Sequence, residues 1–212
     1  MYFDFKPYLK YMHLGYNKKK LSMGNKVWYR SRTDDVLYVR TNGKVLLVCV
    51  GTEPKWREWF WNIAFVSVEW LNIGRVHGGF ARNVHELLGR EDQGSSLITV
   101  CNEANERGDS IDIIGHSRGF PIAALMATQL INHGIPASRI TVVGCGGARL
   151  GCKRFKRSYQ RLLGERTYVL NGKRDPIRFL PPWGNTNGRV QLLDMTGHGI
   201  EKYMEVYEKF RQ

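Results

Sequence analysis

The sequence has 212 residues, the length of one medium-sized domain, with 42% hydrophobic and 24% charged residues. This composition excludes disorder along the whole chain, and the longest apolar runs fall far short of the ~20 residues that span a membrane. Lys and Arg number 32 against 19 Asp and Glu, and the net charge of +13 predicts attraction to a polyanion, either nucleic acid or an anionic membrane surface.

The cysteines and the first residues bear on the cellular compartment. Cys49, Cys101, Cys145 and Cys152 are too few for a disulfide scaffold. No histidine or acid stands at ligand spacing from the last two, so we expect free thiols and no metal site. The sequence starts without the basic and apolar blocks of a secretory signal. We therefore expect a cytoplasmic protein, with peripheral membrane contact left open.

The first half of the chain predicts an arm followed by strands. Residues 1–25 lack a clean periodicity, which favours an N-terminal arm or a short helix packed on the domain. Strands are predicted at residues 36–40 and 45–50, because the Asn42-Gly43 pair between them suits a hairpin. The second strand is apolar throughout, as is typical of a central strand covered on both faces. Apolar residues three or four apart then predict two helices, at residues 81–88 and 96–107.

The second half predicts a parallel sheet. A short apolar strand at residues 111–114 is followed by a glycine-flanked turn, a helix at 121–132 and a strand at 140–143. This strand, turn, helix and strand unit is typical of parallel pairing. The remaining predicted elements are a strand at 166–170, a loop at 171–188, a strand near 190–193 and a helix at 200–210. We expect one α/β domain over residues 1–212, with a central, mostly parallel sheet and helices on both faces.

The turn after residue 114 carries the strongest motif of the chain. Gly115, His116, Ser117, Arg118 and Gly119 form a Gly-x-Ser-x-Gly sequence between a predicted strand and a predicted helix. In that context the serine sits on a tight elbow with its hydroxyl exposed, because the flanking glycines keep other side chains away. We therefore predict a nucleophilic serine; the alternative is a glycine-rich turn with an incidental serine.

A serine hydroxyl needs a base and an orienting acid before it can attack. Downstream of the motif, His133 ends a predicted helix, whereas His198 lies in a glycine-flanked loop and is the better base. Among the acids, Asp175 follows a predicted strand and is the first choice, with Asp194 in reserve. The alternative for Asp175 is a turn-capping role before a proline.

Six segments in order resemble the class 3 lipases, the family of the filamentous-fungal triacylglycerol lipases, from about residue 45 to 198. The segments are residues 50–52, 59–62, 76–80, the serine motif, 146–151 and 175–182. The resemblance implies an α/β-hydrolase fold. Val50, Arg118 and Phe120 depart from the family, which usually has Arg, Leu and Gly at these positions.

The resemblance also assigns roles to single residues. It implies that Asp175 is the acid and His198 the base of a triad with Ser117. An oxyanion hole is implied at Thr52 and the backbone N–H of Arg118. The Arg118 side chain would contact acidic head groups or pair with a carboxylate.

The family places a mobile lid where this chain has a run of aromatic residues. Trp56, Trp59, Phe60 and Trp61 would form that lid and contact substrate; the alternative is a fixed rim around an open site. Between the serine motif and the triad acid, the basic residues of the 153–161 segment are expected to form a solvated face, with phosphate binding as the alternative.

These expectations give a function for the chain. We expect a serine carboxylester hydrolase of lipid esters, a lipase, esterase or phospholipase, that works through an acyl-enzyme and needs no cofactor. Its partners would be a lipid or ester substrate and an anionic lipid interface, with no nucleic acid. The alternative is a non-catalytic lipase-like binding or signalling module.

Overall fold

A computed structural model of the protein describes residues 3–16, 26–30, 35–50, 66–89, 91–92 and 95–211. The strands are β1 (Lys26–Arg30), β2 (Asp35–Thr41), β3 (Lys44–Val50), β4 (Ser67–Trp70), β5 (Gly74–His77), β6 (Glu91–Asp92), β7 (Ser95–Ser96), β8 (Ser110–His116), β9 (Ile140–Cys145), β10 (Thr167–Arg174) and β11 (Arg189–Thr196). The helices are α1 (Lys6–Tyr16), α2 (Gly78–Leu88), α3 (Leu97–Glu106), α4 (Gly119–Asn132), α5 (Lys153–Leu163) and α6 (Ile200–Phe210).

In these residues, seven strands form one sheet in the order β1-β2-β3-β8-β9-β10-β11. Five of these strands, β3, β8, β9, β10 and β11, pair in parallel, and β1 and β2 extend the sheet beyond β3 with antiparallel pairing. Every residue of β3 after Lys44 is buried, as a strand covered on both faces requires. The predicted mostly parallel sheet is confirmed.

Helices cover both faces of the sheet, as predicted. On one face α1 and α6 contact each other, α1 packs on β3 and β8, and α6 packs on β11. On the other face α4 lies against β3, β8 and β9, with α2, α3 and α5 around it. Two apolar clusters result, one on each side of the sheet. No helix among the described ranges is long and apolar enough to cross a membrane.

The predicted N-terminal arm contains a helix that belongs to the core. Leu9 and Met12 of α1 are buried against the sheet, and the Phe5 N–H donates to the Tyr207 hydroxyl of α6 at 3.0 Å. Tyr8 donates to the Asp112 carboxylate at 2.9 Å. The helix therefore takes part in covering the sheet. The assignment of the whole chain to a single domain stays a prediction.

Two elements differ from the expected pattern. The strand predicted at 166–170 continues to Arg174, although the added residues are polar or glycine. The reason is its backbone pairing with β11, which runs from the pair Tyr168–Arg189 to the pair Arg174–Thr196. Helix α5 occupies a segment for which only a solvated basic face was expected. Its buried residues Phe155, Tyr159 and Leu163 recur every four positions, which is the spacing of one helix face.

Candidate active site

Ser117 lies at the end of β8, on the turn that leads into α4. Its backbone φ is 58°, a left-handed conformation that is strained for a residue with a side chain. The Ser117 N–H donates to the Cys145 carbonyl at 2.9 Å, which ties the turn to β9. A Cβ atom at Gly115 would overlap the backbone of Gly119. The turn thus needs a glycine before the serine, as the elbow motif predicts.

Ser117, His198 and Asp175 form a continuous hydrogen-bonded row. The His198 Nε2 atom lies 2.7 Å from Ser117 Oγ, and His198 Nδ1 lies 2.8 Å from Asp175 Oδ2. The three residues follow β8, β11 and β10, whose carboxyl ends meet at one edge of the parallel sheet. With the Nδ1 hydrogen donated to the carboxylate, Nε2 is left to accept the serine hydroxyl proton.

The other candidate residues lie elsewhere. Asp194 is exposed and pairs with Arg174 at 3.3 Å. His133 caps the end of α4 and is exposed. The structure therefore brings Asp175 and His198 together with Ser117. It places Asp194 and His133 outside this hydrogen-bonded row.

The carboxylate of Asp175 is fully buried and has three hydrogen-bond donors around it. Oδ1 accepts from the Ile177 N–H at 2.9 Å, so the turn-capping role coexists with the contact to His198. Oδ2 also accepts from the Tyr203 hydroxyl at 2.6 Å, and that hydroxyl accepts from the Gly172 N–H at 2.7 Å. Burial, followed by the nearby Cys145 and Asp175, raises the pKa of Tyr203 well above its usual value, so it remains a donor. No motif in the sequence points to Tyr203 as part of this site.

His116, the residue before Ser117, contacts His198 through a hydrogen bond and through its ring. Its Nε2 lies 2.8 Å from the His198 carbonyl oxygen and must carry the hydrogen, because a carbonyl only accepts. Its Nδ1 then accepts from the Tyr16 hydroxyl of α1 at 2.9 Å. Burial, and next the neighbouring His198, lowers the pKa of His116 to about 3, so the ring stays neutral. The rings of the two histidines stack with centroids 4.8 Å apart.

His77 caps a helix and lies outside the hydrogen-bonded row of Ser117, His198 and Asp175. Its Nδ1 accepts from the Gly79 N–H at 3.2 Å and caps α2, and its ring stacks on Trp183. Burial, and then the positive charge of Arg118, lowers the pKa of His77 to about 4. The Arg118 side chain is itself only 4% exposed, so it lies inside the molecule and does not project toward solvent.

The bulky Phe120 after the elbow is matched by two glycines. A Cβ atom at Gly144 or at Gly147 would overlap the Phe120 ring. The Gly147 N–H also donates to the Asn171 side-chain oxygen at 3.0 Å, which fixes the loop after β9. The chain thus accommodates a phenyl ring where its resemblance leads one to expect glycine.

Several predicted site residues lie outside the described residues. These are Thr52 and the aromatic residues Trp56, Trp59, Phe60 and Trp61. The oxyanion hole at Thr52 and the lid stay predictions. Within the described ranges, no group of three or more His, Cys, Asp or Glu side chains is placed to hold a metal ion.

Comparison with known proteins gives one family match and one curated relative. The family model described as lipase (class 3) matches residues 46–185. Phospholipase A1-II 4 from Oryza sativa subsp. japonica is 25% identical over an alignment of 130 residues that covers 56% of this chain and 33% of the relative. The chain thus spans about a third of the length of that relative.

Solved structures of fungal lipases share the architecture. The Rhizomucor miehei lipase propeptide complex has a TM-score of 0.74 at 18% identity, covering 89% of this chain and 67% of that one. The lipase of Rhizopus microsporus var. chinensis has a TM-score of 0.69 at 16% identity, covering 93% and 68%. At such identities the likeness shows the fold alone, and it confirms the predicted α/β-hydrolase fold.

Proposed function

Since this chain belongs to the class 3 lipase family, we propose that it is a serine carboxylester hydrolase that acts on lipid esters. Ser117 is the nucleophile, His198 the general base and Asp175 the orienting acid. The observation that carries this proposal is the unbroken row from Ser117 Oγ through the His198 ring to the buried Asp175 carboxylate, with both hydrogen bonds shorter than 3 Å.

The reaction proceeds in two halves. The Ser117 hydroxyl gives its proton to His198 Nε2 as Oγ attacks the ester carbonyl carbon, and His198 then protonates the departing alcohol. Water repeats the sequence on the acyl-enzyme, with His198 again accepting and returning the proton. Asp175 holds the Nδ1 hydrogen and stabilises the imidazolium that forms in each half. No cofactor takes part.

The negative charge that develops on the carbonyl oxygen needs donors fixed in advance. The backbone N–H of Arg118, directly after the nucleophile, is one proposed donor, as in other elbows of this kind. Thr52 is the second, on the strength of the family resemblance. Removing one such donor typically lowers the rate by about 10²–10³-fold.

The substrate class rests on the relatives. The names of the relatives describe a phospholipase A1 and fungal lipases, so a glycerolipid ester at a lipid interface is the proposed substrate. The net charge of +13 favours an anionic interface. The aromatic segment from Trp56 to Trp61 is the proposed lid over the Ser117 site.

Labelling with a fluorophosphonate probe tests the nucleophile. We expect one modified serine in the wild type and none in Ser117→Ala, while Ser158→Ala, on helix α5, remains labelled. His198→Ala should also lose labelling, because the hydroxyl then lacks its base. A folded wild type that takes no label and cleaves no p-nitrophenyl ester would overturn the proposal in favour of a non-catalytic lipase-like module.

A further inference from the structure

The positive charge of the protein is concentrated in one stretch of the chain. Residues 145–193 contain eleven Lys and Arg but only two acids, Glu165 and Asp175, so they carry +9 of the net +13. Asp175 is fully buried beside His198, and Glu165 already pairs with Arg189. Neither acid therefore neutralises the other cations of this stretch.

An exposed phenyl ring lies within this stretch, beside the candidate active site. Phe179 is 45% exposed and ends the short turn Pro176–Phe179, which begins directly after Asp175. The guanidinium of Arg178 lies 4.8 Å from the centre of this ring and that of Arg149 5.7 Å. Arg149 comes from the loop after β9, so all three residues lie at the sheet edge that carries Ser117.

Backbone carbonyls hold the two arginines in place. The Arg149 N–H donates to the Leu180 carbonyl at 2.6 Å, and its Nη1 to the Pro182 carbonyl at 3.0 Å. The Nη1 of Arg178 donates to the Gly172 carbonyl at 3.3 Å. Among the residues that the structure describes, no Asp or Glu lies within ion-pair distance of either side chain. Arg178 Nη1 also lies 3.5 Å from the Lys173 carbonyl oxygen. Each guanidinium has five N–H donors, and these side-chain hydrogen bonds of the two partly exposed arginines use only Nη1.

We propose that Phe179, Arg149 and Arg178 form a docking element for an anionic phospholipid surface. The guanidinium groups bind lipid phosphates, whose oxygens match their donor geometry, and the phenyl ring enters the hydrocarbon just beneath them. A phospholipid surface presents this combination of outer phosphate and inner apolar layer. The docking element deepens the proposed function, on which it rests, because it turns the Ser117 edge toward lipid.

Sedimentation with vesicles tests the docking element apart from catalysis. All variants are made in a Ser117→Ala protein, so that no lipid is consumed. Each basic residue near an anionic surface contributes about a fivefold gain in binding, so Arg149→Gln with Arg178→Gln should weaken binding to phosphatidylserine vesicles about 25-fold. Binding to phosphatidylcholine vesicles should change far less. Phe179→Ala, an exposed substitution that leaves the core intact, should weaken binding to both.

Two matched controls lie at the amino ends of the parallel strands, opposite the end that carries Ser117. Arg139 precedes β9 and, like Arg149, donates from its guanidinium to one backbone carbonyl, here that of Gly108. Phe210, at the far end of α6, is 51% exposed. Arg139→Gln and Phe210→Ala should bind phosphatidylserine vesicles as tightly as the parent protein.

The outcomes separate docking from catalysis. Equal losses in the test variants and the controls would overturn the proposal, because they would indicate diffuse attraction by net charge. Full vesicle binding by Phe179→Ala would also overturn it, as would duplex DNA binding lost in the arginine variant while vesicle binding persists. Weakened vesicle binding with no fluorophosphonate labelling of the wild type would leave the docking element standing and remove only the hydrolase.

Discussion

The hydroxyl of Tyr203 offers a single-atom test of how Asp175 is held. Tyr203→Phe removes the hydroxyl whose O–H donates to Asp175 Oδ2 at 2.6 Å and whose oxygen accepts from the Gly172 N–H at 2.7 Å. The ring itself remains, so the apolar packing of α6 is preserved. Asp175 keeps its contacts with Ile177 and His198.

The size of the effect follows from the two lost hydrogen bonds. A hydrogen bond to a charged group contributes about 1.5–3 kcal/mol, and a buried N–H left without a partner costs about 1–3 kcal/mol. We expect the free energy of unfolding to fall by about 2.5–4 kcal/mol, the lower half of the summed range, because larger losses from one substitution are exceptional. Because Oδ2 also receives the His198 hydrogen, a less firmly held carboxylate should lower kcat by about tenfold to a hundredfold, with little change in KM.

Urea unfolding and hydrolysis of a soluble p-nitrophenyl ester measure the two quantities. Tyr207→Phe is the matched control, since Tyr207 lies one turn further along α6 and its hydroxyl also accepts a backbone N–H, from Phe5 at 3.0 Å. The control should lose stability but keep its kcat. An equal fall of kcat in both variants, or an unchanged kcat in Tyr203→Phe, would refute the reasoning.

Three further predictions concern the acid, a buried histidine and the glycines around the elbow. Asp175→Asn should lower kcat by roughly 10⁴-fold, because an amide cannot hold the correct histidine tautomer, while the exposed Asp194→Asn changes it little; the reverse ranking would move the acid to Asp194. The pKa of His116 falls from its ordinary 6.5 to about 3, so the unfolded chain takes up the proton first as pH drops between these values. The free energy of unfolding should therefore fall by up to ~1.4 kcal/mol per pH unit below pH 6, and His116→Gln should flatten this slope in acid-dependent urea unfolding; parallel slopes would contradict the assignment. Gly147→Ala should cost ~1–3 kcal/mol by overlap with Phe120, and less in a Phe120→Ala background, where strict additivity in urea unfolding would disprove the clash.

The parts of the site that the sequence predicts are those with a local signature. The turn at Ser117 is bounded by β8 and α4, close to the strand and helix expected from apolar spacing. Asp175 and His198 follow from chain order and from their loops at strand ends. These features depend on neighbouring residues, so a pattern within one segment is enough to find them.

The supporting residues have no such signature. Tyr16 reaches His116 across 100 positions of sequence, and Tyr203 reaches Asp175 across 28. A tyrosine on a helix reads as an ordinary apolar position, and only tertiary packing decides which hydroxyl meets which buried acceptor. The polar end of β10 was missed for a related reason, since backbone pairing with β11 and not side-chain pattern makes it a strand.

The contact between α1 and α6 also sets an order of events during synthesis. The Phe5 N–H and the Tyr207 hydroxyl are 202 positions apart, so roughly 10–40 s of translation at ~5–20 residues per second separate them. Until α6 leaves the ribosome, the apolar cluster on the sheet face of Leu46 and Val48 lacks the side chains that α6 contributes to it. Since α6 also brings Tyr203 to Asp175, the nascent chain gains this support for the carboxylate only after α6 has been synthesised.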